Sequence, residues 1–129
     1  MITVGKGAQL AADIVSRQAD VDAVLAAKIA AGFTYQGAPY QIDADSRSNM
    51  DAVMTAFALG LTNPHGGAWR TSTNVMTPMT DDQVKPFIFA VKAYYLALLQ
   101  RSWALKDTLK ALTTLAAVAD YDITAGWPG

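Results

Sequence analysis

Residues 80–119 read TDDQVKPFIFAVKAYYLALLQRSWALKDTLKALTTLAAVA. Thr80 and Gln83 have the spacing of a capping box, and Asp81 and Asp82 suit the positive end of a helix dipole. Val84, Val91, Leu98, Leu105, Leu112 and Ala119 recur every seven residues, with Ile88, Tyr95, Ser102, Leu109 and Ala116 beside them. Together they form a seam of period near 3.5, the mark of helices packed lengthwise. The pattern predicts one unbroken helix over about 81–119, with a kink at Pro86 as the worst disturbance. Phe87, Phe89, Tyr94, Leu96 and Trp103 widen the apolar surface, and only Lys85, Lys92, Gln100 and Lys106 keep a narrow arc polar. The first half of this helix is therefore expected to be covered from more than one side, by another helix, a sheet or a second copy of the chain. Apolar faces beyond a monomer's needs mark interfaces, which makes these five side chains candidate protein-contact residues.

Working outward, residues 8–31 contain no proline and no glycine before Gly32, and Leu10, Ile14, Val21, Leu25 and Ile29 share one stripe. They predict a first helix that Gly32 stops. Phe33, Tyr35, Tyr40 and Ile42 alternate around Gly37 and Pro39, a short hairpin over about 33–43. Pro39 lacks an N–H and belongs at a strand start or edge. A second helix over about 46–60, with Asp45 as its N-cap, places Met50, Val53, Met54, Phe57 and Leu61 on one face. Asn63-Pro64-His65-Gly66-Gly67 is a loop. Residues 68–77 predict a second hairpin in which Asn74 takes the left-handed turn position. The tail 120–129 is expected to be irregular, with Trp127 either a partner anchor or folded onto its own domain. Residues 1–7, with Gly5 and Gly7 around Lys6, read as a flexible arm. The expectation is a single α+β domain over residues 1–129, with three helices and two short hairpins forming a small sheet.

Composition narrows the function. At 129 residues the chain buries one core. Apolar residues make up 52% and charged residues 16%, against about a quarter charged in an average domain, so intrinsic disorder does not fit. The net charge of -1 argues against a broad nucleic-acid surface. No apolar run reaches the ~18 residues of a membrane span, and the first residues lack the basic-then-apolar order of a secretion signal. With no Cys, disulfides and thiolate metal sites are excluded.

No motif asks for catalysis. His65 is the single histidine, and no local sequence ties it to Ser46, Ser72, Asp43 or Asp45. A Gly-x-Ser-x-Gly elbow is missing. Asp43, Asp45 and Asp51 cluster near the start of the second helix, but Arg47, Ser48 and Met54 stand where a calcium loop needs a ligand, a Gly and a Glu. Gly5-Lys6-Gly7 falls short of a phosphate loop. The chain is read as non-enzymatic, with no cofactor and no metal; a small hydrolase using His65 is one alternative.

Two segments carry a resemblance: Gly32-Phe33-Thr34-Tyr35-Gln36-Gly37 with Tyr40-Gln41-Ile42-Asp43 and Ser46-Arg47, then Trp69-Arg70-Thr71 with Asn74 and a long Ala/Leu helix carrying Lys106. Over about residues 20–115 the chain resembles an uncharacterised phage domain family, common at the C-termini of tail-fibre and tail-assembly proteins of tailed phages and prophages. Similar sequences often have Asp before the motif Asn, where Thr73 stands here. The resemblance implies no catalytic residue. It implies a structural component of a virion tail, baseplate or tail fibre, made in the bacterial host cytoplasm, whose partners are other tail or baseplate proteins. Tail symmetry makes a homo-oligomer, trimer or hexamer, the natural expectation, with neither nucleic acid nor membrane as a partner. An assembly chaperone that leaves the finished particle is the other alternative.

Overall fold

The computed structural model describes residues 5–129. Its elements run α1 (Lys6–Ala31), β1 (Phe33–Tyr35), β2 (Ala38–Tyr40), α2 (Ala44–Ala58), β3 (Ala68–Arg70), β4 (Met76–Pro78), α3 (Asp81–Ala111) and α4 (Leu115–Asp120). The class is α+β, with four helices among the described residues where the sequence pattern predicts three. The first four residues of the expected arm lie outside the described range. Its last two, Lys6 and Gly7, are already helical.

Most of the seventh-residue seam is buried where it is helical: Val84, Val91, Leu98, Leu105 and Leu109 are all 0% exposed, while Tyr95 is half-buried. The single helix to Ala119 is not what forms. α3 stops at Ala111, and Thr114, in an extended conformation, caps α4 by accepting the Ala117 N–H on Oγ1 at 3.1 Å. Thr113-Thr114 is the cause: a β-branched hydroxyl residue competes for backbone N–H groups and suits a cap better than a helix interior. At the other end the expected capping box is present, with Gln83 N–H donating to Thr80 Oγ1 at 3.2 Å and Thr80 N–H to Gln83 Oε1 at 2.9 Å.

α2 is capped by Asp43, not Asp45. Asp43 is extended and its carboxylate accepts the Ser46 N–H at 3.0 Å, which leaves Asp45 inside the first turn. The helix closes in a Schellman arrangement, with Gly60 at φ 77 and Leu61 N–H bonded to Ala56 O at 2.9 Å. Met50 and Val53 are fully buried. Leu61 lies past the cap and is exposed, so it leaves the stripe that the spacing assigned to it.

The hairpins form two separate two-stranded sheets, β1–β2 and β3–β4, not one. In the first, Thr34 faces Pro39, flanked by the pairs Phe33–Tyr40 and Tyr35–Ala38. A two-residue turn with φ 48 at Gln36 and 80 at Gly37 puts Pro39 at a position whose N and O point away from β1. That outer edge has an acceptor and no donor. It takes one bond, Ser72 N–H to Pro39 O at 2.9 Å, and no ladder grows from it. Asn74 is left-handed at φ 63, as expected.

The chain forms two compact units. In the unit made of residues up to Ala27 and Ala97–Gly129, Val21, Leu105, Leu109 and Ile123 form a buried cluster, with Val24, Leu112, Tyr121 and Trp127 packed on it. In the unit Lys28–Leu96 the core is aromatic, with Phe87 in ring contact with Tyr40, Tyr35 and Trp69 at 4.6, 5.2 and 5.6 Å.

Candidate functional site

Of the six candidate contact residues, three stay on the surface of the chain. Phe89, Leu96 and Trp103 are 62%, 47% and 52% exposed. They occupy every seventh position of α3, which places them along one side of that helix. Phe87 is fully buried among aromatic rings, so it is core and no part of an interface. Its neighbours explain why: both hairpins deliver an aromatic side chain to it. Tyr94 is half-buried, stacked on Phe33 at 4.8 Å. Trp127 is folded back; its indole N–H donates to Ile123 O at 2.8 Å while its ring packs on the aliphatic cluster.

The sequence pattern did not point to a second feature, a polar cleft of about 340 Å³ in the unit Lys28–Leu96. Four segments build it. Gln41 comes from the link after β2, and Ser46 and Asn49 lie one turn apart at the start of α2. His65 comes from the loop before β3, while Trp69, Arg70, Thr71, Asn74 and Met76 come from the β3–β4 hairpin. The segments are held locally. The Asp43 cap fixes the first turn of α2. In the loop, Asn63 Oδ1 accepts the His65 N–H at 2.9 Å, and the Asn63 N–H donates to Asp81 Oδ1 at 3.3 Å. In the hairpin, buried Thr71 accepts the Val75 N–H on Oγ1 at 3.1 Å and the Asn74 N–H on its carbonyl at 3.0 Å.

The cleft's electrostatics are simple. Its lining contains one guanidinium, from Arg70, and no carboxylate. Among the described residues the four ion pairs join Arg17 to Asp20, Lys85 to Asp82, Lys92 to Asp51 and Lys106 to Asp22, so Arg70 has no such partner. The nearby acid at the start of α2 is already engaged: the hydroxyl and N–H of Ser46 hold the Asp43 carboxyl below its ordinary 3.8. His65 meets the Trp69 ring edge-on at 5.3 Å. Ser46 shares the cleft with His65, yet among the described residues no hydrogen bond joins the imidazole to a serine or a carboxylate. Nor do the described residues contain a group of three His, Asp or Glu side chains placed to hold a metal. No helix among them is long and apolar enough to cross a membrane.

The model of a domain of unknown function, DUF4376, matches residues 12–125. The chain belongs to that family. No curated protein and no solved structure matches it. The DUF4376 match takes in every residue of the cleft and the exposed Phe89, Leu96 and Trp103 of α3, and it ends before Trp127. Several residues that carried the resemblance, Gln41, Ser46, Trp69, Arg70, Thr71 and Asn74, line this one cleft of the DUF4376 fold. Far apart in sequence and lacking any catalytic spacing, they gave no local sign of a shared site; only the fold brings them together.

Proposed function

We propose that this DUF4376 chain is a non-enzymatic structural module of a tailed-phage virion, in the tail, baseplate or tail fibre, acting through protein–protein contacts. The observation that carries the reading is the row Phe89, Leu96 and Trp103, large apolar side chains left open on α3 at intervals of seven. The tail context comes from the resemblance of the hairpin and helix motifs to phage tail-associated domains. The break at Thr114 shortens the rod that the pattern predicts, and most of the seam is buried within the chain. Of the six candidate contact residues, this row is what remains open to a partner.

Burying the exposed parts of three such side chains gives about 3–4 kcal/mol, which is at the lower end of what association costs. A ring of copies raises that total, because each copy meets two neighbours. The test is sedimentation velocity on the wild type and on a variant carrying Phe89→Gln, Leu96→Gln and Trp103→Gln. A trimer or hexamer is expected for the first, and a folded monomer with unchanged circular dichroism for the second. Mass spectrometry of purified particles then separates a resident tail component from an assembly chaperone that leaves. A wild-type chain that is monomeric at high concentration and absent from particles defeats the reading.

A further inference from the structure

We propose that the cleft walled by the start of α2 and the β3–β4 hairpin binds a small ligand with a carboxylate beside an amide, the chemistry of an N-acylated amino acid or of the last residue of a peptide. This goes beyond the assembly reading and does not depend on it.

The charge pattern selects the carboxylate. A lining with one guanidinium and no acid attracts a single negative charge, and the planar fork of arginine matches a carboxylate's two oxygens. Arg70 has no competing ion pair among the described residues, and the carboxylate of Asp43 is spent on Ser46. The amide follows from what surrounds Arg70. The carboxamides of Gln41, Asn49 and Asn74 line the same cleft and make no hydrogen bond among the described residues. Each offers a donor and an acceptor together, the complement of an amide N–H and C=O.

Size and shape narrow the class further. A cleft of about 340 Å³ is at the small end of ligand sites, a size that suits a residue-sized molecule. Trp69 is only 9% exposed and turns its ring into the core, so it offers no open platform on which a sugar or base could stack. Met76, half exposed at the rim, supplies apolar contact for a short aliphatic group. The walls are set before binding. Asn74 is held left-handed, Asn49 follows a capped helix start, and the His65 loop is pinned through Asn63, so little backbone ordering accompanies binding.

The experiment is a ¹H–¹⁵N titration of the full chain, following the Trp69 indole and the Asn49 and Asn74 side-chain amides. The probes are N-acetylalanine, its neutral amide N-acetylalaninamide, glucuronate and an acetylated tripeptide with a free C-terminus. N-acetylalanine is expected to shift these signals and saturate in the millimolar range, with N-acetylalaninamide and glucuronate at least tenfold weaker. Arg70→Gln is expected to weaken the acid at least tenfold and leave N-acetylalaninamide unchanged. Arg70→Lys is expected to recover only part of the loss, and Lys85→Gln, on a residue outside the cleft, none of these effects. Tighter binding of the tripeptide assigns the site to a chain end; equal binding assigns it to a free small acid. If N-acetylalaninamide or glucuronate binds as tightly as N-acetylalanine, if Arg70→Gln changes nothing, or if no cleft signal moves, the proposal falls.

Discussion

Residues 28–96 close around aromatic rings, with Phe87 touching Tyr35, Tyr40 and Trp69. The other unit closes around Val21, Leu105, Leu109 and Ile123, none of them aromatic. The difference follows from what each has to hold. The first unit contains strands of three residues, too short to stand by their own ladders, and each hairpin is pinned by a large ring planted in the core. Among its described residues the second has no strand. Its chain after α4 has no regular partner for its carbonyls, and guanidinium groups supply one: Arg17 donates to Tyr121 O at 2.7 Å, and Arg101 to Ala125 O at 2.8 Å. Gly126 belongs to the same fastening, because a Cβ there would meet Arg101 Nη2 at 2.6 Å. Rings hold the hairpins; arginines, together with Trp127, hold the tail.

The comparison breaks first at Phe87. Phe87→Ala is expected to cost about 3–5 kcal/mol, and hydrogen-exchange mass spectrometry should find the lost protection in residues 28–96. Loss confined to other residues would show that the rings do not hold the hairpins. Leu105→Ala, its aliphatic counterpart, should cost about 3 kcal/mol, with the loss centred on the tail after Leu115 and on α1 up to Ala27. Next come two glycines of the first hairpin. Gly32→Ala places a Cβ 2.5 Å from Tyr40 O at φ 79, whereas Gly37→Ala meets open space at φ 80. Thermal unfolding should show a loss of about 2–3 kcal/mol for the first and about 1 kcal/mol for the second. Equal losses would mean that the close approach to β2 contributes nothing.

The smallest expected effect is on acid stability, and it touches both units. Ser46 lowers the Asp43 carboxyl, and Thr124, through its hydroxyl and N–H, lowers that of Asp122. A carboxyl held low in the folded chain contributes stability in full above its unfolded value of 3.8. The contribution is lost as pH falls through the lower folded value. Melting temperature followed from pH 6 to pH 2.5 should therefore drop below about pH 4. Asp43→Asn and Asp122→Asn should each flatten part of that drop, chiefly by lowering the melting temperature at neutral pH, where the charged carboxyl makes its contribution. A drop that survives both substitutions assigns it to other groups.

Periodicity alone made much of this fold legible. The seam Val84, Val91, Leu98, Leu105 could be read because burial repeats with the helix, and the Thr80–Gln83 box because its spacing is local. Gly32, Gly60 and Asn74 marked their turns because few residues tolerate positive φ. The break at Thr114 was hidden because the apolar repeat continues through Leu112 and Ala119, so the pattern outvoted one hydroxyl. Asp43 and Asp45 are both good caps, and only backbone geometry chooses between them. Phe87 and Phe89 look alike in the string, two positions apart, yet one is core and the other surface. That split depends on which helix face receives the hairpins. The cleft was not legible at all, because its residues lie on four segments whose meeting is a tertiary fact.

Trp69 touches the Phe87 ring on one side and the His65 ring on the other, at the boundary between the aromatic core and the cleft. Its emission is thus a built-in optical gauge for the hairpin unit, blue while the core is closed and open to quenching by whatever enters beside His65. Trp103, half open to solvent, and Trp127, packed on the aliphatic cluster, are removed from the signal by the double change Trp103→Phe and Trp127→Phe. With that change, unfolding and ligand entry can be followed in one cuvette without a label.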